Sequence, residues 1–572
     1  MAIAAKKKKK RKPKLTAEEK KQKNIQSSHK KMVRGVFRLT GFKRIPGLAD
    51  KEFSFKGQAT DFDDVFVNEN ILVCLEYTTT TNVGAHLKPK NIIYEKIHTD
   101  PAGFCQFLCD LNEDLKFELL SKYNSAEVIV KIVYCSLNAV DASLKENVPN
   151  PKYLDYAELR YFANLTDCTK KTAQYELFDF LEISPTLIGA GGKIGVASEL
   201  ENYNGFLLPE SNSNFNKGFN VVSFYVDPDA LLKRSYVLRK DGWKDSHNLY
   251  QRMISKPKIE AIRKHLRVNK RVFVNNIIAT LPYDTKIVNE KQETVDPATI
   301  TKTQPVTIQL PRRSNSVGLI DGQHRTYSYY EAVNDDAEIA KLRVKQNLLV
   351  TGIIYPKGIS DAEKEKFEAR LFLEINSTQT NAKSNLKQAI GLVLEPFSAE
   401  SIATRVIGEL DRGSGPLNGR VERYWFDKNK LKTTSIVSYG LKPLVKTSGD
   451  DSLFHLWDDA QKEKMVETED STALTKYVEF CVQEINKLLI AVKMTSKPGS
   501  WTTDKNVEGR MLTTTNINAI LICLRLLIEN GKTAEVDDYK ASLSDLKFFK
   551  FKDYHSSQYN RMAEAIYQKY FN

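Results

Sequence analysis

Val317–Ala332 reads VGLIDGQHRTYSYYEA, and the order of residue types within it decides the fold. The four apolar residues Val317–Ile320 form a short strand. They stop at Asp321-Gly322, and a helix is predicted over 326–345. A strand, a tight turn and a helix in that order present polar groups at a strand's carboxyl end. The first turn of a helix carries unpaired N–H groups and the positive end of the macrodipole, which together attract anions. Gly322 permits a tight turn or close backbone approach. His324 and Arg325 add side-chain donors, and the rigid arginine fork matches phosphate. Gln323 can donate to a phosphate oxygen or orient a nucleophile. Asp321 can hold a divalent cation or position a water. Asp321, Gln323, His324 and Arg325 are thus the candidate catalytic residues, and Gly322, His324 and Arg325 candidate phosphate ligands. The plainer alternative is an aspartate helix cap whose His and Arg pair with nearby carboxylates.

Working outward, RLFLEIN (370–376) is predicted as a strand ending in a second polar turn, Asn376-Ser377-Thr378-Gln379-Thr380-Asn381. If it lies parallel to 317–320, both turns share one sheet edge, and Asn376, Ser377, Thr378 and Gln379 join the phosphate pocket. Further strands are predicted at 219–226, 271–281, 305–310 and 347–355, and a basic amphipathic helix at 250–266. These elements make 221–395 one domain. Residues 396–572 are predicted mainly helical. Residues 186–220 are rich in Gly, Ser and Asn and are expected to be a linker. The class expected is mixed α/β.

In 35–185 short strands alternate with helices. ATDFDDVFV (59–67) and ILVCLEYT (71–78) flank a short Asn-Glu-Asn turn and predict a hairpin. Asp64 on one strand and Glu76 near the end of the other are candidate Mg²⁺ ligands and catalytic carboxylates, since Mg²⁺ prefers oxygen and can activate a water against a phosphodiester. The pattern looks like the Asp … Glu-x-Lys signature of restriction-endonuclease-like folds, which implies a DNA nuclease. It departs from that signature at Thr78, where the lysine is expected. Lys88 or Lys90, in HLKPK, is the candidate substitute. Without an amine the domain would bind DNA and not cut it.

The net charge of +14 is unevenly placed. Residues 1–31 hold thirteen Lys/Arg against Glu18 and Glu19, so +11 belongs to them and +3 to everything else. Residues 1–34 are expected to be a disordered basic arm. Lys6, Lys7, Lys8, Lys9, Lys10 and Arg11, with Lys88 and Lys90, are its candidate nucleic-acid contacts, because cations release counterions from phosphate backbones without reading sequence. Such a charge run does not separate DNA from RNA. Seven cysteines, mostly inside apolar runs, are expected to be buried thiols of a reducing, cytoplasmic compartment. No stretch is apolar enough to predict a membrane span.

VGLIDGQHRTYSYYEA carries a complete DGQHR signature, and FLEINSTQTNA (372–382) is similar to the second signature of the same family. The chain resembles DGQHR-domain proteins, which include the DNA sulfur modification protein DndB, over about 221–395. That resemblance implies a ParB/sulfiredoxin-like core, association with DNA, a setting in bacterial DNA modification or anti-phage defence alongside other proteins of those systems, and ATP as a cofactor for an ATPase. Some relatives act as regulators of DNA-modification genes, so a non-catalytic regulator or adaptor is the competing expectation. The helical C-terminal third offers a surface for a homo-oligomer.

Overall fold

The computed structural model describes residues 16–184, 187–189, 200–239, 243, 251–379, 384–424 and 426–572. The chain divides into two compact units. The first takes in residues up to 237 together with 253–358, and the second 238–252 with 359–572. The class is mixed α/β. The break after 358 falls within the stretch expected as one domain, 221–395.

The first unit opens with helix α1 (Ala17–Leu39), capped by a reciprocal Thr16–Glu19 capping box. The expected disordered arm is thus helical from Ala17 onward. Its apolar positions Val33, Val36 and Phe37 fall on one face and are buried, and that burial holds the basic face in a fixed conformation. Lys6 to Arg11 lie outside the described residues.

Seven strands follow: β1 (Lys43–Arg44), β2 (Phe53–Phe55), β3 (Gln58–Thr60), β4 (Asp64–Asn68), β5 (Ile71–Thr78), β6 (Ile129–Ser136) and β7 (Lys152–Leu154). They form a sheet of order β1-β4-β5-β6-β7 and a separate β2-β3 pair. The predicted hairpin is β4 antiparallel to β5, turning through Glu69 in the left-handed region. β5 runs parallel to β6. β5 is buried on both faces along most of its length, which is why ILVCLEYT is a nearly continuous apolar run. Phe37 of α1 packs on Phe66 on one face of the sheet. On the other, Val65, Leu72 and Cys74 share a core with Tyr94, Phe104 and Leu108 from the helices Asn91–Thr99 and Pro101–Leu111.

The second sheet contains β8 (Leu200–Leu208), β9 (Asn220–Val226), β10 (Ser235–Tyr236), β11 (Ile277–Leu281), β12 (Lys286–Val288), β13 (Gln304–Pro311), β14 (Val317–Asp321) and β15 (Leu348–Ile354). Their order is β10-β14-β11-β15-β9-β8-β13-β12. The expected linker therefore contains a nine-residue strand. β8 pairs with β13 and β9, and it buries Tyr203 and Leu207. Its Asn and Gly residues had masked that role.

The predicted strand 370–376 is helical, part of Asp361–Gln379 in the second unit. The neighbours of β14 are β10, parallel, and β11, antiparallel. EKFEARLFLEIN is rich in Glu, Lys, Ala, Arg and Leu, which favour helix over strand. Its buried residues Glu368, Ala369, Leu371 and Phe372 cluster on one side. The described part of the second unit is helical, with Ile402, Val406, Tyr477, Leu488, Leu524 and Met562 in one core. No described helix is long and apolar enough to cross a membrane, and all seven cysteines are free and buried.

Candidate phosphate-binding site

β14 delivers Asp321 to the end of the second sheet, and Gly322 turns the chain at φ 99°. A Cβ on Gly322 would stand 2.4 Å from Ile277 Cδ1, so both the conformation and the space require glycine here. The short helix Gln323–Tyr327 begins immediately, with Thr326 N–H donating to Gly322 O at 2.9 Å. Arg325 points back at the turn. Its Nη2 donates to Asn276 O at 2.7 Å and to Asp321 Oδ2 at 2.8 Å. Its Nε is buried with no acceptor, Thr326 Oγ1 is buried without a partner, and so is Asn276 Oδ1, an acceptor just before β11. His324 Nε2 accepts from Ser255 N–H at 3.1 Å, at the start of the Lys256–Asn269 helix. That bond fixes Nε2 as the acceptor, which in the neutral ring leaves the proton, and so the donor, on Nδ1. Gln323 is half-buried beside them.

Two buried arginines hold the far end of this short helix. Arg263 Nη1 donates to Ser328 O at 2.8 Å, and its guanidinium lies 3.8 Å from the Tyr330 ring centroid. Burial lowers its pKa below the ordinary arginine value. Arg343 Nε donates to Tyr329 O at 2.7 Å and Nη2 to Tyr330 O at 2.9 Å, while Asp335 balances its charge at 2.8 Å. Cations on terminal carbonyls satisfy otherwise unpaired acceptors. Sequence reading missed both residues, yet a signal existed for one. Ile259, Arg263 and Leu266 stand at i, i+4 and i+7, so the apolar stripe of that helix carries Arg263 inward.

The second predicted polar turn does not exist as such. Asn376 is helical and its Nδ2 donates to Phe372 O at 2.8 Å, an ordinary i to i−4 bond. Ser377, Thr378 and Gln379 continue that helix, and Thr380 and Asn381 lie outside the described residues.

Asp64 and Glu76 do not meet. Asp64 is paired across the hairpin with Leu75, which puts its side chain on the face of Leu75 and Tyr77, and Glu76 on the opposite face. The predicted Asp64–Glu76 metal pair is therefore corrected by the register. Asp64 is fully buried under α1. Arg34 grips it with Nε at 2.6 Å and Nη2 at 3.0 Å, Arg44 Nε also donates to it, and Tyr77 Oη donates at 2.8 Å. Burial opposes ionisation of Asp64, but these donors outweigh it and hold its pKa below the ordinary value. On the other face Lys90 Nζ donates to Glu76 Oε1 at 2.5 Å and lies 3.4 Å from Asp61 Oδ1. Burial pushes Glu76 up to about 8, with Lys90 opposing. Asp63 is raised by burial too, although it accepts from Tyr77 N–H at 2.7 Å. Lys90 is thus committed to a carboxylate, and Lys88 is exposed.

Among the described residues no three His, Cys, Asp or Glu side chains gather so as to hold a metal. The donor set does not fit Mg²⁺, because Asp64 is saturated by two arginines and a tyrosine and Asp321 is paired with Arg325. Comparison with protein families, with curated proteins and with solved structures finds no match.

Proposed function

We propose that the chain is a DNA-associated DGQHR-domain protein, similar to DndB, that holds phosphate groups at Gly322–Arg325 and serves DNA modification or phage defence as a regulator or adaptor. The observation that carries this reading is Arg325. Its Nη2 is fixed by Asn276 and Asp321, while Nε is left without an acceptor. An unmade hydrogen bond from a buried charged donor is costly, and a phosphate oxygen supplies the missing partner in the geometry the guanidinium favours. Asp321, 41 % exposed, occupies part of the fork and is the group an incoming phosphate displaces. Holding is favoured over hydrolysis because the motif's one carboxylate is engaged with its own arginine.

DNA and a nucleotide such as ATP offer the same oxygens, so the test keeps them apart. Orthophosphate, ATP and a short DNA duplex are titrated into the full chain and into Asp321→Asn and Arg325→Lys. Asp321→Asn is expected to bind anions several-fold tighter, since it removes a competing charge. Arg325→Lys is expected to bind at least about tenfold more weakly, having lost the fork. Unchanged affinities in both variants would overturn the proposal. ATP turnover that vanishes in Asp321→Asn would make Asp321 catalytic and replace this reading with an ATPase.

A further inference from the structure

We infer that the groove between α1 and β1 is a track for the phosphate backbone of duplex DNA, separate from the Asp321 turn. This rests on the proposed DNA association and names a surface for it. The groove encloses about 730 Å³ and is lined by Lys30, Lys31, Arg34, Arg38, Lys43 and Arg44. The carboxylates around it do not cancel this charge. Asp64 lies buried beneath and is shared by Arg34 and Arg44. Lys30 lies 3.4 Å from Asp50 and from Asp63, and Lys43 is 2.6 Å from Glu118. Lys31 and Arg38 are exposed, and among the described residues no ion pair holds either of them. They are seven residues apart on one helix face, about 10 Å along the axis, which is roughly three base steps of a DNA strand at ~3.4 Å each.

Gly35 is the independent observation. It sits in the C-terminal half of a 23-residue helix, inside its last turns, where glycine is disfavoured, yet a Cβ there would meet nothing within 4 Å. Packing does not require it. A glycine at that point keeps the wall between Lys31 and Arg38 low, so that a backbone can approach closely. A membrane surface does not fit this helix, because its apolar face is already buried in the sheet.

Binding of a fluorescent 20-base-pair duplex to the full chain, measured across a potassium chloride series, tests the assignment. Lys31→Gln/Arg38→Gln is expected to flatten the slope of log affinity against log salt by about two and to weaken binding about tenfold or more. Gly35→Glu, which puts a carboxylate in the track, is expected to weaken binding similarly, and Gly35→Ala, which raises the wall by one methyl group, to weaken it by a smaller factor. Duplex binding by the double variant and by Gly35→Glu at native slope and affinity would sink the inference. Tighter binding of a duplex RNA, or of polyglutamate at matched charge, would also overturn it. Orthophosphate binding that is lost in Arg325→Lys and kept in Lys31→Gln/Arg38→Gln reports on the Asp321 turn alone, so failure of the groove and failure of the proposed function give different results.

Discussion

Gly322 is the residue on which the turn at Asp321 depends. An alanine there must hold φ near 99° and push into Ile277. A non-glycine residue in that region costs about 1–3 kcal/mol before any clash is counted. Gly322→Ala should therefore lower stability to denaturant by roughly 2–3 kcal/mol, read as a shift of the unfolding midpoint, and should weaken phosphate binding with it. Glu76 gives a pH prediction. Its folded pKa, about 8, lies above its ordinary 4.5. The folded state therefore binds a proton that the unfolded chain has released, and stability is greatest at low pH and falls as pH rises from 4.5 toward 8. The slope approaches ~1.4 kcal/mol per pH unit for one proton. Unfolding midpoints at pH 6, 7 and 8 should decline in the native chain, and this component should be absent in Glu76→Gln. Asp64 is expected to act structurally. Asp64→Asn should cost about 2 kcal/mol by loosening two arginines, read as a lower unfolding midpoint in denaturant. The composition of the DGQHR turn was readable from the sequence, because five consecutive polar positions at a strand end need no partner to be noticed. The roles of Asp64 and Glu76 were not, because which sheet face a strand residue occupies depends on register, and register belongs to a pair of strands.

Among the elements, strands rich in β-branched residues announced themselves. NLLVTGIIY (347–355) became β15 because such side chains pack well on a half-buried pleated surface. Two elements were misread for opposite reasons. RLFLEIN shows an apolar cluster that period alone cannot assign to helix or strand, and its helix formers decide the matter. LENYNGFLL looks like loop by composition, yet it gains a full ladder against β13 that no local signal reports. α1 makes the sharpest prediction at this scale. Glycine in a helix interior costs about 0.5–1 kcal/mol relative to alanine, and Gly35 has room for a methyl group. Gly35→Ala should stabilise the first unit by that amount, read as a higher urea midpoint by circular dichroism. A drop would show that Gly35 is needed for packing and would remove the groove's claim on it.

For the molecule as a whole, the distribution of charge matters more than its total. The eight Lys and Arg between Lys6 and Lys14 face no acid in that segment, whereas the cations of α1 are set on a folded face against Asp64 and Asp63. A charge run of the first kind attracts any polyanion at long range and is screened within a Debye length of about 10 Å at 0.1 M salt. Cations fixed on a helix make contacts whose geometry persists when the long-range attraction is screened. Removal of residues 1–14 should therefore lower DNA affinity most at low salt and flatten the salt slope, while the remaining binding stays dependent on Lys31 and Arg38. The decisive comparison is Lys31→Gln/Arg38→Gln in the full and the shortened chain at one salt concentration. If the two substitutions weaken binding by the same factor in both, arm and groove act independently. If they matter only once the arm is gone, the arm alone carries the duplex in the native chain and the groove is an ancillary surface.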